Sequence, residues 1–207
     1  QIGPASADLF AQRATASAIL GRFEDALLDL SEAILLSPQQ GSLFLQRAKT
    51  RAALGDLEAA LADANRAVEL LPGDAAVLET RGQLLAALGR RRDAAADFTS
   101  AIAADPSRHT SFWGRARALI EMGQPGLAAD DLTAALALRP SDPALLVDRG
   151  ECRFRCGDLE GAVADFSAAL ERDPRCGLAL ENRARVLLAL GRGPQARADV
   201  EAALVLR

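Results

Sequence analysis

The residues with the greatest chemical potential gather in one stretch, RGECRFRCGDLEGAVADF, from Arg149 to Phe166. It holds two of the three cysteines, three arginines and four acids. Cys152 and Cys156 stand four apart, one helical turn, which could begin a two-thiolate metal site. Tetrahedral zinc needs further ligands, and Cys176, in a turn, is the only other soft donor. Two cysteines on one helix and an odd total also argue against a disulfide-stapled scaffold. Buried structural cysteines are the expectation for Cys152 and Cys156. His109 is the sole histidine, and no motif around it supports a Ser–His–Asp triad. Neither common glycine-rich phosphate loop occurs. The residues point to no enzyme, no metal and no cofactor.

Composition narrows the classes further. Half of the 207 residues are hydrophobic, a quarter are charged, and the net charge is −4. That balance suits a soluble globular chain and argues against a general nucleic-acid binder. No apolar run reaches the length of a membrane span. Gln1 to Ser6 lack the basic start and apolar core of a leader, so a cytoplasmic location is the default expectation. The chain opens on Gln rather than Met, as a processed form or an excised fragment would. Lys49 is its only lysine, and it contains no tyrosine.

The elements that must position these residues show themselves through a period of 34. Pro38, Pro72, Pro106, Pro140 and Pro174 keep that spacing, as do Gly21, Gly55, Gly89, Gly123, Gly157 and Gly191. Two alanine columns, one starting at Ala26 and one at Ala33, run through all six copies. A fixed period in this range marks a solenoid of stacked units. Each unit predicts two helices: the Gly ends the first in a left-handed turn, and the Pro stops the second. Small residues at Ala14, Ala48, Gly82, Ala116, Gly150 and Ala184 let the two helices approach closely.

These columns resemble the tetratricopeptide repeat (TPR) family, together with the large apolar columns of Phe10, Phe44, Leu78, Phe112, Leu146 and Leu180, and of Leu30, Ala64, Phe98, Leu132, Phe166 and Val200. The resemblance implies an all-α fold of the α-α superhelix class, a right-handed TPR solenoid of antiparallel helix pairs. It implies a single domain over 1–207 with repeats 7–40, 41–74, 75–108, 109–142, 143–176 and 177–207.

The chain departs from the common family pattern at the seventh position of each unit, where Arg13, Arg47, Arg81, Arg115, Arg149 and Arg183 stand where Leu is frequent. Asp29, Asp63, Asp97, Asp131, Asp165 and Asp199 form a second invariant column. Adjacent helical residues point about 100° apart, so the arginines are expected to face the preceding unit. The favoured pairs are therefore Asp29–Arg47, Asp63–Arg81, Asp97–Arg115, Asp131–Arg149 and Asp165–Arg183. Pairing within a unit, such as Arg115 with Asp131, is the alternative. Either way, the recurrence on every unit marks a structural ladder, with each guanidinium able to meet a carboxylate through two parallel hydrogen bonds.

The resemblance implies a concave groove lined by first helices, with protein segments as partners. The first half of that groove is mild in character, with Thr15, Gln46 and Lys49. The second half is richer. Trp113, Ile120, Val147 and Phe154 could form an apolar floor rimmed by Arg117, Arg155 and Arg185, with Glu151 and Asn182 beside them. An apolar patch with a polar rim suits an interaction site, and Trp and Arg are enriched among binding hot spots. Alternatively, Trp113 packs along the neighbouring first helix. The family's carboxylate clamp wants Lys and Asn where Ala11, Thr15 and Gln46 stand, so a chaperone-tail receptor does not fit. A groove of mixed sign does not suit RNA.

A solenoid usually ends in a polar cap, yet Leu204 and Leu206 sit in the last helix, and Arg13 and Asp199 lack partners under the favoured pairing. A fragment of a longer chain, the favoured reading, or end-to-end association would explain both. The expected function is a non-enzymatic scaffold or adaptor that binds a protein or peptide partner, without nucleic acid, as part of a larger complex or longer chain. A docking or regulatory module of a larger enzyme and a self-assembling array are the alternatives.

Overall fold

The computed structural model describes residues 6–206, and residues 1–5 and 207 lie outside them. The described residues form α1 (Ala7–Ile19), α2 (Phe23–Leu36), α3 (Gly41–Ala53), α4 (Leu57–Leu70), α5 (Ala75–Ala87), α6 (Arg91–Ala104), α7 (His109–Glu121), α8 (Pro125–Leu138), α9 (Pro143–Arg155), α10 (Leu159–Arg172), α11 (Gly177–Ala189) and α12 (Gly193–Val205). The fold is all-α, of the α-α superhelix class, and consecutive helices pack pairwise. Contacts divide the chain into two compact units, one ending at Asp105 and one beginning at Pro106. The first holds α1 to α6 and the second α7 to α12. Among the described residues no helix is long and apolar enough to cross a membrane.

The punctuation acts as its chemistry requires. Gly21 and its five repeats take φ between 73 and 85°, a region in which a Cβ is strained. The following amide then closes back on the helix, as Arg22 N does on Ser17 O at 2.9 Å, satisfying carbonyls that the helix leaves open. Asp56, Asp74, Asp142 and Asp158 cap the starts of α4, α5, α9 and α10 through their side chains. Pro125, Pro143 and Pro194 fall in the first turns of α8, α9 and α12, where a missing N–H costs nothing.

Both alanine columns are buried in every copy, from Ala26 to Ala196 and from Ala33 to Ala203. The large apolar column beside them fills four of the hairpins, where Leu30, Phe98, Leu132 and Phe166 are all at most 1% exposed, whereas Val200 in the sixth is 44% exposed. Gly82 and Gly150 replace alanine in the two repeats in which that column is phenylalanine. A Cβ on Gly150 would stand 2.8 Å from the Phe166 ring, and one on Gly82 would stand 3.1 Å from the Phe98 ring.

The ladder exists, but its rungs lie within repeats. Arg13 pairs with Asp29, Arg47 with Asp63, Arg81 with Asp97, Arg115 with Asp131, Arg149 with Asp165, and Arg183 with Asp199. Each is a two-bond fork; for example, Arg149 Nε and Nη2 donate to Asp165 at 2.9 and 2.7 Å. The inter-repeat pairs Asp29–Arg47, Asp63–Arg81, Asp131–Arg149 and Asp165–Arg183 are therefore replaced by intra-repeat ones. Asp97 and Arg115 are likewise each bonded inside their own repeat. The aspartate column sits next to the buried apolar column of its own hairpin, so its carboxylates face inward, between 3 and 6% exposed. Arg13 and Asp199, expected to lack partners, both have them.

The arginines do also face the preceding repeat, with one nitrogen. The arginine's remaining nitrogen, Nη1, reaches back to the preceding repeat: Arg47 to Ser31 at 3.3 Å, Arg81 to Asn65 at 3.4 Å, Arg149 to Thr133 at 3.3 Å and Arg183 to Ser167 at 3.0 Å. A guanidinium presents five N–H groups in one plane, so a single side chain braces its own hairpin and the junction behind it. In the second and fifth repeats the carboxylate gains a second cation, Arg51 on Asp63 at 2.8 Å and Arg153 on Asp165 at 2.9 Å.

The cysteines separate. Cys152 is buried in α9, Cys156 is exposed at its C-cap and Cys176 is half-buried at the start of α11. The expectation that both Cys152 and Cys156 are buried fails for Cys156, because the helix ends at Arg155 and carries the next residue into the turn. Burial pushes the Cys152 thiol up to about 12. Leu206 also departs from expectation. It lies past the end of α12 and is half-buried against the core, while Leu204 is 60% exposed.

Candidate partner-binding groove

In the second unit the first helices of the three hairpins, α7, α9 and α11, carry the predicted groove residues. Trp113 on α7 is half-buried against the core, and its indole N–H donates to Asp148 of α9 at 2.6 Å. It thus lies along the neighbouring first helix, with its polar edge engaged. Burial raises the Asp148 carboxyl above the usual carboxylate range, with the Trp113 hydrogen bond and the Arg117 charge opposing the shift.

Beside Asp148 lies an open cavity of about 190 Å³, lined by Arg117, Ile120, Glu121, Asp148 and Glu151. Glu151 accepts from Arg155, one turn on, at 2.9 Å and also from Arg185 of α11. Arg185 stacks over the Phe154 ring, 4.9 Å from its centroid, a favourable cation–π arrangement. Two of the three rim arginines, Arg155 and Arg185, are therefore tied to one carboxylate, and the two hairpins that carry them are linked.

The structure brings Arg117, Ile120 and Glu151 together at the cavity, and Glu151, Phe154, Arg155 and Arg185 into the adjoining cluster. Val147 is not with them. It is 5% exposed and belongs to the core, because the fifth position of the repeat turns toward the helix interface as much as toward the groove. Asn182 is half-buried on α11. Among the described residues no group of three His, Cys, Asp or Glu could hold a metal ion.

The first unit contains a site that sequence reasoning undervalued. Ala14, Thr15, Ala18, Ile19, Leu30, Gln46, Lys49 and Thr50 line a cavity of about 320 Å³. Its walls are mostly aliphatic, with Lys49 and Gln46 contributed by α3. Two small residues one turn apart, Ala14 and Ala18, open this space. The available signal was Ile19, an aliphatic side chain 81% exposed beside them.

Solved structures share this architecture. PilW, described as a widely conserved type IV pilus biogenesis factor, is 22% identical, with a TM-score of 0.83 over 93% of this chain and 90% of its own. YrrB, described as a TPR protein with an unusual peptide-binding site, is 23% identical, with a TM-score of 0.76 over 86% of this chain and 92% of its own. A tetratricopeptide repeat protein from Parabacteroides merdae is 18% identical, with a TM-score of 0.80 over 96% of this chain and 79% of its own. At these identities the likeness is one of fold. No curated protein sequence matches the chain. A family model described as the tetratricopeptide repeat matches residues 79–143, 114–173 and 153–207. With more than half of its length matched and six helix hairpins in phase, the chain belongs to the tetratricopeptide repeat family.

Proposed function

We propose that this chain is a non-enzymatic interaction scaffold whose second unit holds a segment of a partner protein along α7, α9 and α11. The family fold is a protein-interaction module, and YrrB is described as a TPR protein with an unusual peptide-binding site. The observation that carries the reading is the cavity beside Asp148, the acceptor of the Trp113 indole, with Ile120 as its apolar wall and Arg117, Glu121 and Glu151 at its edges. An apolar side chain of the partner would enter against Ile120, while charged neighbours on the partner meet Arg117 and Glu121. Such mixed surfaces gain specificity from charge and affinity from the buried aromatic.

The test is affinity capture with the wild-type chain beside a Trp113→Ala, Phe154→Ala variant of unchanged helical content. Loss of the wild-type partners from the variant supports the reading. Identical partner sets overturn it.

A further inference from the structure

We propose that the cavity in the first unit binds a free medium-chain fatty acid, with its alkyl chain between α1 and α3 and its carboxylate on Lys49. The cavity measures about 320 Å³. At about 30 Å³ per water-sized group, that is room for roughly ten heavy atoms, the size of octanoate.

The space is left by two small residues, one from each first helix. Ala18 stands at the twelfth position of its repeat and Thr50 at the tenth of the next. At the other first-helix junctions inside the two units, those positions carry Ala52 with Leu84, Ile120 with Cys152, and Phe154 with Val186. Each of these pairs brings a large apolar side chain, and Leu84 and Val186 are at most 4% exposed. The pair of Ala18 and Thr50 brings none, and the gap stays open above Leu30. Its exposed residues Thr15 and Ile19 stand at positions that are exposed in following repeats too, as Lys49, Gln83 and Arg117 and as Ala53, Ala87 and Glu121. The opening therefore belongs to the groove side of the repeat, wherever in the array that repeat stands.

The polar groups at the cavity select the ligand. Thr15 Oγ1 donates to Ala11 O and Thr50 Oγ1 to Gln46 O, both at 2.9 Å, so neither hydroxyl proton is open to a ligand. The side-chain donors that remain are the Gln46 amide and the Lys49 ammonium. Among the described residues neither group has a hydrogen-bond or ion-pair partner. Three residues apart on α3, they are neighbours on one helix face, and together they suit one carboxylate. A peptide segment would bring a backbone N–H and C=O at every residue. The aliphatic walls of Ala18, Ile19 and Leu30 give those groups nothing to bond. An alkyl chain with one charged end carries no such groups.

The test follows the backbone amide signals of the full, isotope-labelled chain by NMR while octanoate is added below its micelle concentration. Saturable shifts centred on Thr15, Ala18, Ile19 and Lys49 are expected. Ala18→Leu brings the side chain that Leu188 supplies at the same position of the sixth repeat. It fills the cavity and weakens octanoate binding by about tenfold, as displacing roughly two buried methylenes does. Thr50→Val, matching Val186 of the sixth repeat, narrows the space from the other helix and also weakens binding. Circular dichroism checks both for unchanged helical content. Lys49→Gln weakens octanoate binding by up to about fivefold and leaves octanol binding unchanged, which separates the charge from the chain. Shifts that fail to saturate, or that spread over other helices, would overturn the proposal. So would unchanged octanoate binding in Ala18→Leu and Thr50→Val, or equal losses of octanoate and octanol in Lys49→Gln. Tighter binding of a capped peptide of leucine and glutamate at the same amides would overturn it in favour of a protein ligand.

Discussion

Gly150 lies against the ring of Phe166, and a Cβ added there would stand 2.8 Å from Cε1 and 2.9 Å from Cζ. Replacing a helix-interior glycine with alanine normally stabilises by up to about 1 kcal/mol. Contact this short reverses the sign, since overpacking a filled core costs about 1–3 kcal/mol. Gly150→Ala is expected to lower the thermal midpoint, and a second change, Phe166→Leu, to restore much of the loss. Ala116 faces Leu132 in the same way without strain, which is the arrangement the double variant recreates.

Arg81 and Arg47 differ in what they leave behind when truncated. Asp97 loses its fork in Arg81→Ala, and a buried carboxylate left without its cation costs about 3 kcal/mol. Asp63 in Arg47→Ala still holds Arg51 at 2.8 Å, so the loss is smaller than for Arg81→Ala. Denaturant unfolding of the two variants, with a double-mutant cycle on Arg115 and Asp131, separates intra-repeat coupling from any other pairing.

Two carboxylates respond to pH in opposite senses. The Arg13 hydrogen bond holds Asp29 below the usual carboxylate range, so its stabilisation is present above that range and is lost as pH falls through its depressed folded value. Burial holds Asp148 above it, so its ionised form costs stability that appears as pH rises through the raised folded value. Asp148→Asn keeps an acceptor for the Trp113 indole and removes that cost. Its thermal midpoint is expected to exceed the wild type at neutral pH and to match it in acid.

The thiols are expected to react in the order of their exposure. Alkylation at mildly alkaline pH modifies Cys156 first and Cys176 more slowly. Cys152, buried and with its thiol pushed up to about 12, reacts only on unfolding, because the thiolate is the nucleophile. Peptide mass mapping over time reads the order directly.

The repeat was legible because proline, glycine and alanine each mark a backbone constraint that recurs every 34 residues. The arginine and aspartate columns were visible for the same reason, but their pairing was not. A helical wheel gives the direction of a Cβ, and a guanidinium several bonds further out can turn to one helix with one face and to another with its third nitrogen. The bond from Trp113 to Asp148 spans 35 residues and depends on how neighbouring first helices lean. The cavity between Ala14 and Ala18 arises from missing volume. Small residues at those positions read equally well as close packing, and only the placement of α3 shows that the space stays open.

Because every buried aspartate is neutralised inside its own helix hairpin, a 34-residue repeat is an electrically complete cassette. Removing or duplicating one in register strands no carboxylate. It only exchanges one small hydroxyl or amide for another beneath the next guanidinium. Had the rungs run between repeats, every such edit would have left a buried charge at each cut. A solenoid wired in this way can change its length without first having to redesign its interior.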